Sequence, residues 1–175
     1  MKIDFELTSE DWLDFNKYYF FNSKEIGRTK LFVQLSVPVS VALILIYNAF
    51  KGSLDKTGAI IGLSFGLLWF FFYPKKFYRE TIKKIEKLMK EGDNSSLFGK
   101  HSIVFDENGV TCAEPESTQT FKWSAFKKAV ETKNHFFLFN TAMSAIIIPK
   151  KTILSEVESI RNLINLNIKE SNLQK

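Results

Sequence analysis

The stretch from Leu31 to Tyr73 constrains this chain more than any other. Twenty residues from Leu31 to Phe50 carry no charge, a six-residue polar connector KGSLDK follows, and a second apolar run of seventeen residues extends from Thr57 to Tyr73. At 1.5 Å per residue, twenty helical residues reach about 30 Å, the thickness of a hydrocarbon core, and the second run is at the short end of what can cross. A connector this short returns the second helix antiparallel beside the first. The pattern predicts a helical hairpin that crosses a membrane twice. A neighbouring helix can satisfy the amide of Gln34 and the carbonyl freed by Pro38, and Trp69 and Tyr73 are placed for the interface.

The formal net charge of +5 is unevenly placed. Lys24, Arg28 and Lys30 precede the hairpin, Lys75, Lys76, Arg79, Lys83, Lys84, Lys87 and Lys90 follow it, and only Lys51 and Lys56 lie between. Basic residues are retained on the cytoplasmic side, so the expectation is a multi-pass protein of the inner (cytoplasmic) membrane with both termini cytoplasmic. From Pro74 to Glu91, Phe77, Tyr78, Ile82, Ile85, Leu88 and Met89 recur at helical spacing. That segment is expected either to continue the second span straight into the cytosol or to bend at Pro74 onto the membrane surface. Lys75, Lys76, Arg79, Lys83 and Lys84 form a basic cluster suited to anionic lipid headgroups. Their position beside a span argues for lipid and against nucleic acid.

Gly58, Gly62 and Gly66 recur every four residues on one face of the second span, with Ser36 and Ser40 as a small-residue face on the first. Small residues let helix backbones approach, so these five positions are read as the packing seam of the hairpin. The alternative is that the glycine face joins protomers into an oligomer, even a channel-like or membrane-permeabilising one. Neither span carries an ionisable side chain, which disfavours an ion or proton pathway.

Outside the hairpin the period changes. Ile3, Phe5 and Leu7 alternate with charged residues as in a half-buried strand. Thr8 or Ser9, followed by Glu10 and Asp11, reads as a helix start, with Trp12, Phe15 and Tyr19 on one side of the helix. GDNSS, from Gly92 to Ser96, is a turn-rich linker. Beyond it, His101, Ile103 and Phe105 alternate into an Asn108-Gly109 turn, expected to have φ > 0. Further strands are read at Thr118 to Trp123, Lys127 to Thr132, HFFLFN and AIIIP. Ile153, Val157, Ile160, Leu163, Ile164 and Ile168 then form the apolar stripe of a terminal helix capped by Thr152 or Ser155. The domain division is therefore an N-terminal strand and helix (1–30), the hairpin (31–73), a basic juxtamembrane helix (74–91) and a cytosolic domain (92–175). The fold class is α+β, with a small antiparallel meander of five or six strands closed by a helix.

Three stretches carry a family resemblance: SIVFDENGV, KWSAFKKAVET with Trp123, Ser124, Val130 and Glu131, and IIIPKKTI with Ile148, Pro149 and Lys150. With the order of elements, they resemble the bacterial YcxB-like family, whose cytosolic tail is similar to pleckstrin-homology-like domains. The resemblance implies membrane location and a fold, and no reaction. Too few strands follow Gly92 to complete a pleckstrin-homology sheet, so Ile3 to Leu7 is expected to add one from across the hairpin.

No catalytic, cofactor or metal motif stands out. His101 and His135 lack ligand spacing, a single cysteine is read as unable to build a zinc site, so no metal is expected, and Cys112 sits in a strand pattern as a small hydrophobe. Lys150 and Lys151, beside the helix start, are a possible anion-binding turn. The expected function is non-catalytic: a pleckstrin-homology-like module held at the membrane to bind a protein partner or lipid headgroup.

Overall fold

The computed structural model describes residues 1–91, 97–169, 171 and 172; the GDNSS linker lies outside them. The chain forms two compact units. One comprises Met1–Lys17 with Leu88–Lys175, and the other Tyr18–Lys87.

The first unit contains two four-stranded sheets. In the first sheet β1 (Lys2–Leu7) pairs antiparallel with β2 (Gly99–Phe105), which pairs with β3 (Gly109–Ala113), which pairs with β4 (Thr118–Lys122). The N-terminal strand therefore does join the strands that follow the hairpin, and alternation buries Ile3, Phe5 and Leu7. The second sheet has the order β7 (Ala145–Pro149), β6 (His135–Phe139), β5 (Lys128–Glu131) and β8 (Ser171–Asn172). Its last pair, β5 with β8, is parallel. The single meander expected from sequence is thus divided in two. The division falls at Trp123–Ala125, a 3-10 turn rather than the end of a strand. Trp123 is held there by its indole, which donates to the Asp106 carbonyl at 2.9 Å, and by stacking on Phe105. Every residue of β6 is buried, which explains an unbroken HFFLF run in place of alternation.

Two local expectations are corrected. Neither Asn108 nor Gly109 adopts positive φ. Instead Asp106 Oδ1 accepts from the Asn108 and Gly109 amides at 2.7 and 2.8 Å, an aspartate-directed turn that competes with the Asn-Gly type. Glycine is needed for a different reason: a Cβ at position 109 would lie 1.9 Å from the Phe121 carbonyl oxygen. The terminal helix α4 spans Val157–Asn167 and has no side-chain cap, because Thr152 ends a 3-10 turn at Lys150–Thr152 and Ser155 lies in the following turn. Its stripe is as expected at Ile160 and Ile164, buried together with Ile153 and Ile168.

Helix α1 (Ser9–Asn22) begins with a reciprocal cap. The Thr8 hydroxyl accepts from the Asp11 amide at 3.3 Å, and Asp11 Oδ2 accepts from the Thr8 amide at 2.9 Å. Phe15 of α1 packs edge-on against Phe137.

The second unit is dominated by α2 (Lys24–Phe50) and α3 (Lys56–Glu91). Both are long and apolar enough to cross a membrane, with 0% of the apolar window of α2 and 6% of that of α3 buried inside the protein. Helix α3 runs unbroken through Pro74, so the basic segment continues the apolar one as a single helix. Asp55 caps it by accepting from the Gly58 amide at 2.6 Å. Between the helices, Gln34 donates to the Phe70 carbonyl at 2.9 Å and Trp69 to that of Val33 at 3.3 Å.

Candidate functional site

A cavity of about 340 Å³ opens among α1 and the two sheets of the first unit. Its walls mix apolar and polar surface, the apolar part supplied by Leu7, Trp12 and Phe15 on the N-terminal side, Phe121 from β4 and Ile147 from β7. Two polar atoms on this wall are buried without a hydrogen-bond partner among the described residues: His101 Nε2 and Asn140 Oδ1. Burial lowers the pKa of His101 against the opposing influence of Glu114 and of a hydrogen bond to the Leu97 backbone, so the ring is neutral near pH 7. It stacks on Phe5 at 5.7 Å between centroids.

Next to His101 on the same wall are Cys112 and Glu114. Burial first, and the Glu114 charge second, push the Cys112 thiol up to about 11, well away from a reactive thiolate. Glu114 accepts from the Ser117 hydroxyl at 2.9 Å. One donor atom each from His101, Cys112 and Glu114 lies within 4.8 Å of the other two. Linear spacing hides this convergence, because it depends on the register between two strands; a Cys-x-Glu alternation facing a histidine was the available signal.

The residues singled out in the sequence lie elsewhere. Lys150 donates to Glu131 Oε1 at 2.5 Å and to the Thr132 carbonyl at 2.7 Å. Lys151 pairs with Asp11 at 3.1 Å. Both candidate anion-binding lysines are thus committed to internal carboxylates. Arg161 of α4 closes the first cluster with two bonds to Glu131, at 2.9 and 2.6 Å. Asp11 also meets His135 Nε2 at 2.9 Å. Desolvation raises the pKa of each carboxylate. Hydrogen bonds from Thr8, His135 and Lys151 outweigh it at Asp11, and those from Arg161 and Lys150 outweigh it at Glu131, so both end below their ordinary values.

In the hairpin, a Cβ on Gly62 would meet Val41 Cγ1 at 3.2 Å, and one on Gly66 the Pro38 Cα at 3.5 Å. Gly58 faces Asp55. Ser36 and Ser40 are exposed, their hydroxyls donating to the Val33 and Ser36 carbonyls of their own helix. The seam therefore joins glycines to Pro38 and Val41, with the serines off it. Lys75, Lys76, Arg79, Lys83 and Lys84 are all exposed along α3.

Fold and site together define an α+β protein in which two long apolar helices separate the first strand of a two-sheet unit from the rest. Within it, residues 105–164 match the family model described as YcxB-like protein. The matched segment runs from the end of β2 through most of α4 and contains Trp123, Val130, Glu131, Ile148, Pro149 and Lys150. No curated protein and no solved structure matches the chain.

Proposed function

We propose that the chain is a two-pass membrane protein, both ends cytoplasmic, that displays its two-sheet unit as a non-catalytic binding module for a protein partner. The observation that carries the reading is the pairing of β1 with β2 across six residue pairs. One strand precedes the apolar helices and the other follows them, so both flanks must share one side of any membrane. An even number of crossings satisfies this. The unburied apolar surface of α2 and α3 supports lipid as their surroundings, and the Lys/Arg asymmetry supports the cytoplasmic side. Anionic headgroups are the counterpart of the exposed basic face of α3.

The partner-binding surface is the β4 edge with the cavity beside it. Among the described residues β4 pairs with β3 alone, and Gln119 and Phe121 of β4 also line the cavity. An extended peptide can add to such an edge through main-chain hydrogen bonds while a side chain enters the adjoining pocket. The Asn140 oxygen offers it an acceptor. Assembly of protomers through the glycine face has less surface to use, since Gly62 and Gly66 already meet α2.

A photo-crosslinking benzoylphenylalanine at Gln119 tests the module in cells. Discrete protein adducts are expected there and none from a control position at Glu158 on α4. No adduct at Gln119, or the same adducts at both, would overturn the module. A reporter fused after Lys175 is expected to be active in the cytoplasm, and activity only outside it would reverse the topology.

A further inference from the structure

Strand geometry alone brings three metal-ligating side chains to one place. In the β2–β3 ladder Ile103 stands opposite Cys112 and Ser102 opposite Ala113. One step further sets His101 opposite Glu114, and the two-residue period of a strand puts Cys112 and Glu114 on the face that His101 occupies. We propose that His101 Nε2, Cys112 Sγ and a Glu114 carboxylate oxygen bind a divalent transition-metal ion of the zinc class, with an open coordination position toward the cavity.

Independent support comes from His101 itself. The residue is 6% exposed, and Nε2 has no partner among the described residues. The Leu97 backbone lies close enough to act on the ring. A buried imidazole nitrogen with no partner, facing a thiol and a carboxylate, is placed as a metal ligand would be. One nitrogen, one sulfur and one oxygen make a borderline donor set, which suits zinc and its neighbours and not magnesium or calcium. Bonds of about 2.0–2.3 Å place tetrahedral donors roughly 3.3–3.8 Å apart, so the present spread of up to 4.8 Å closes by about 1 Å. Glu114 supplies that movement, since it is half-buried and held only by Ser117 among its described hydrogen bonds. Coordination converts the thiol to a thiolate and releases its proton to solvent. Three protein ligands leave a fourth position for water or a donor atom from a bound molecule, as in open zinc sites. This site does not depend on partner binding at β4.

The test uses the full chain in detergent, stripped with chelator and titrated with Co²⁺ as a spectroscopic substitute. The expected result is saturation at one ion per chain, with a thiolate-to-cobalt charge-transfer band and the intense visible bands of a tetrahedral site. Added Zn²⁺ should bleach both. C112S should abolish the charge-transfer band, and H101Q and E114Q should shift saturation to higher Co²⁺. Glu114 is at the accessible end of the cluster, so E114Q keeps the test valid where a buried substitution unfolds the protein, as judged by circular dichroism. No charge-transfer band at any Co²⁺ concentration, or titrations unchanged by both C112S and E114Q, would overturn the proposal.

Discussion

Asp11 and Glu131 illustrate how single residues hold the two-sheet unit together. Each is a buried carboxylate, its side chain 5% and 1% exposed respectively, and each is met by basic groups from distant segments. Removing one partner of such a cluster leaves uncompensated buried charge, and E131A is expected to cost about 3–5 kcal/mol, measured by chemical denaturation. The pH dependence follows from the same contacts. In the unfolded chain these groups titrate near 3.8 and 4.5, and in the fold they titrate lower. On acidification the unfolded chain takes up those protons first. The stabilisation is therefore complete above about pH 4.5 and is lost as pH falls through the lowered folded values. Denaturation midpoints should be insensitive to this pair above that pH and decline below it, with a smaller decline in E131A. Gly109 makes a different demand. G109A forces a methyl into the β4 backbone and should cost about 3 kcal/mol or more. Asparagine-glycine pointed to a turn here, yet the cause of the glycine, contact with Phe121, is a property of pairing between strands and is invisible locally.

Among the elements, those with a strong period were legible and those decided by tertiary contact were not. Alternation in KIDFEL and in β2 identified strands, and the uncharged runs identified α2 and α3. The capping residues of α4 were misplaced because Thr152 and Ser155 serve the preceding turns. Likewise, Trp123 carries strand propensity but is drawn into a 3-10 turn by the Asp106 carbonyl. The His101, Cys112 and Glu114 cluster lay hidden for the reason that register between strands is set by turns and burial, not by spacing along the chain. In the hairpin the repeat of glycines was visible, while its counterpart, Pro38 and Val41 in place of the serines, required the packed helices. The seam predicts that cysteines at positions 41 and 62 form a disulfide on oxidation, and that G66L, which collides with Pro38, lowers the yield severalfold; crosslinking in membranes reads this directly.

At the scale of the whole molecule, the two-sheet unit is discontinuous in sequence. Burying Ile3, Phe5 and Leu7 contributes about 1.5–3 kcal/mol for each side chain, a sum comparable to the 5–15 kcal/mol that separates folded from unfolded domains. A fragment of residues 88–175 is therefore expected to lack dispersed amide resonances in NMR spectra. Fusion of residues 1–17 through a flexible linker should restore them. A well-dispersed spectrum from the shorter fragment would show that β1 is dispensable. Alternation marked this strand in the sequence, and only a shortfall in strand count assigned it to the later sheet; its partner and register could not be read from alternation.

The separation of β1 from β2 also sets a schedule. About 90 residues intervene between the two strands, and at about 5–20 residues per second the ribosome takes roughly 5–20 s to deliver the second after the first. During that interval the first strand has no mate, and both apolar helices are made before one exists. On the proposed two-pass topology, release of the nascent chain into the bilayer comes before closure of the sheet. On that topology, mistimed insertion would leave an unpaired edge exposed, where quality-control machinery meets it first.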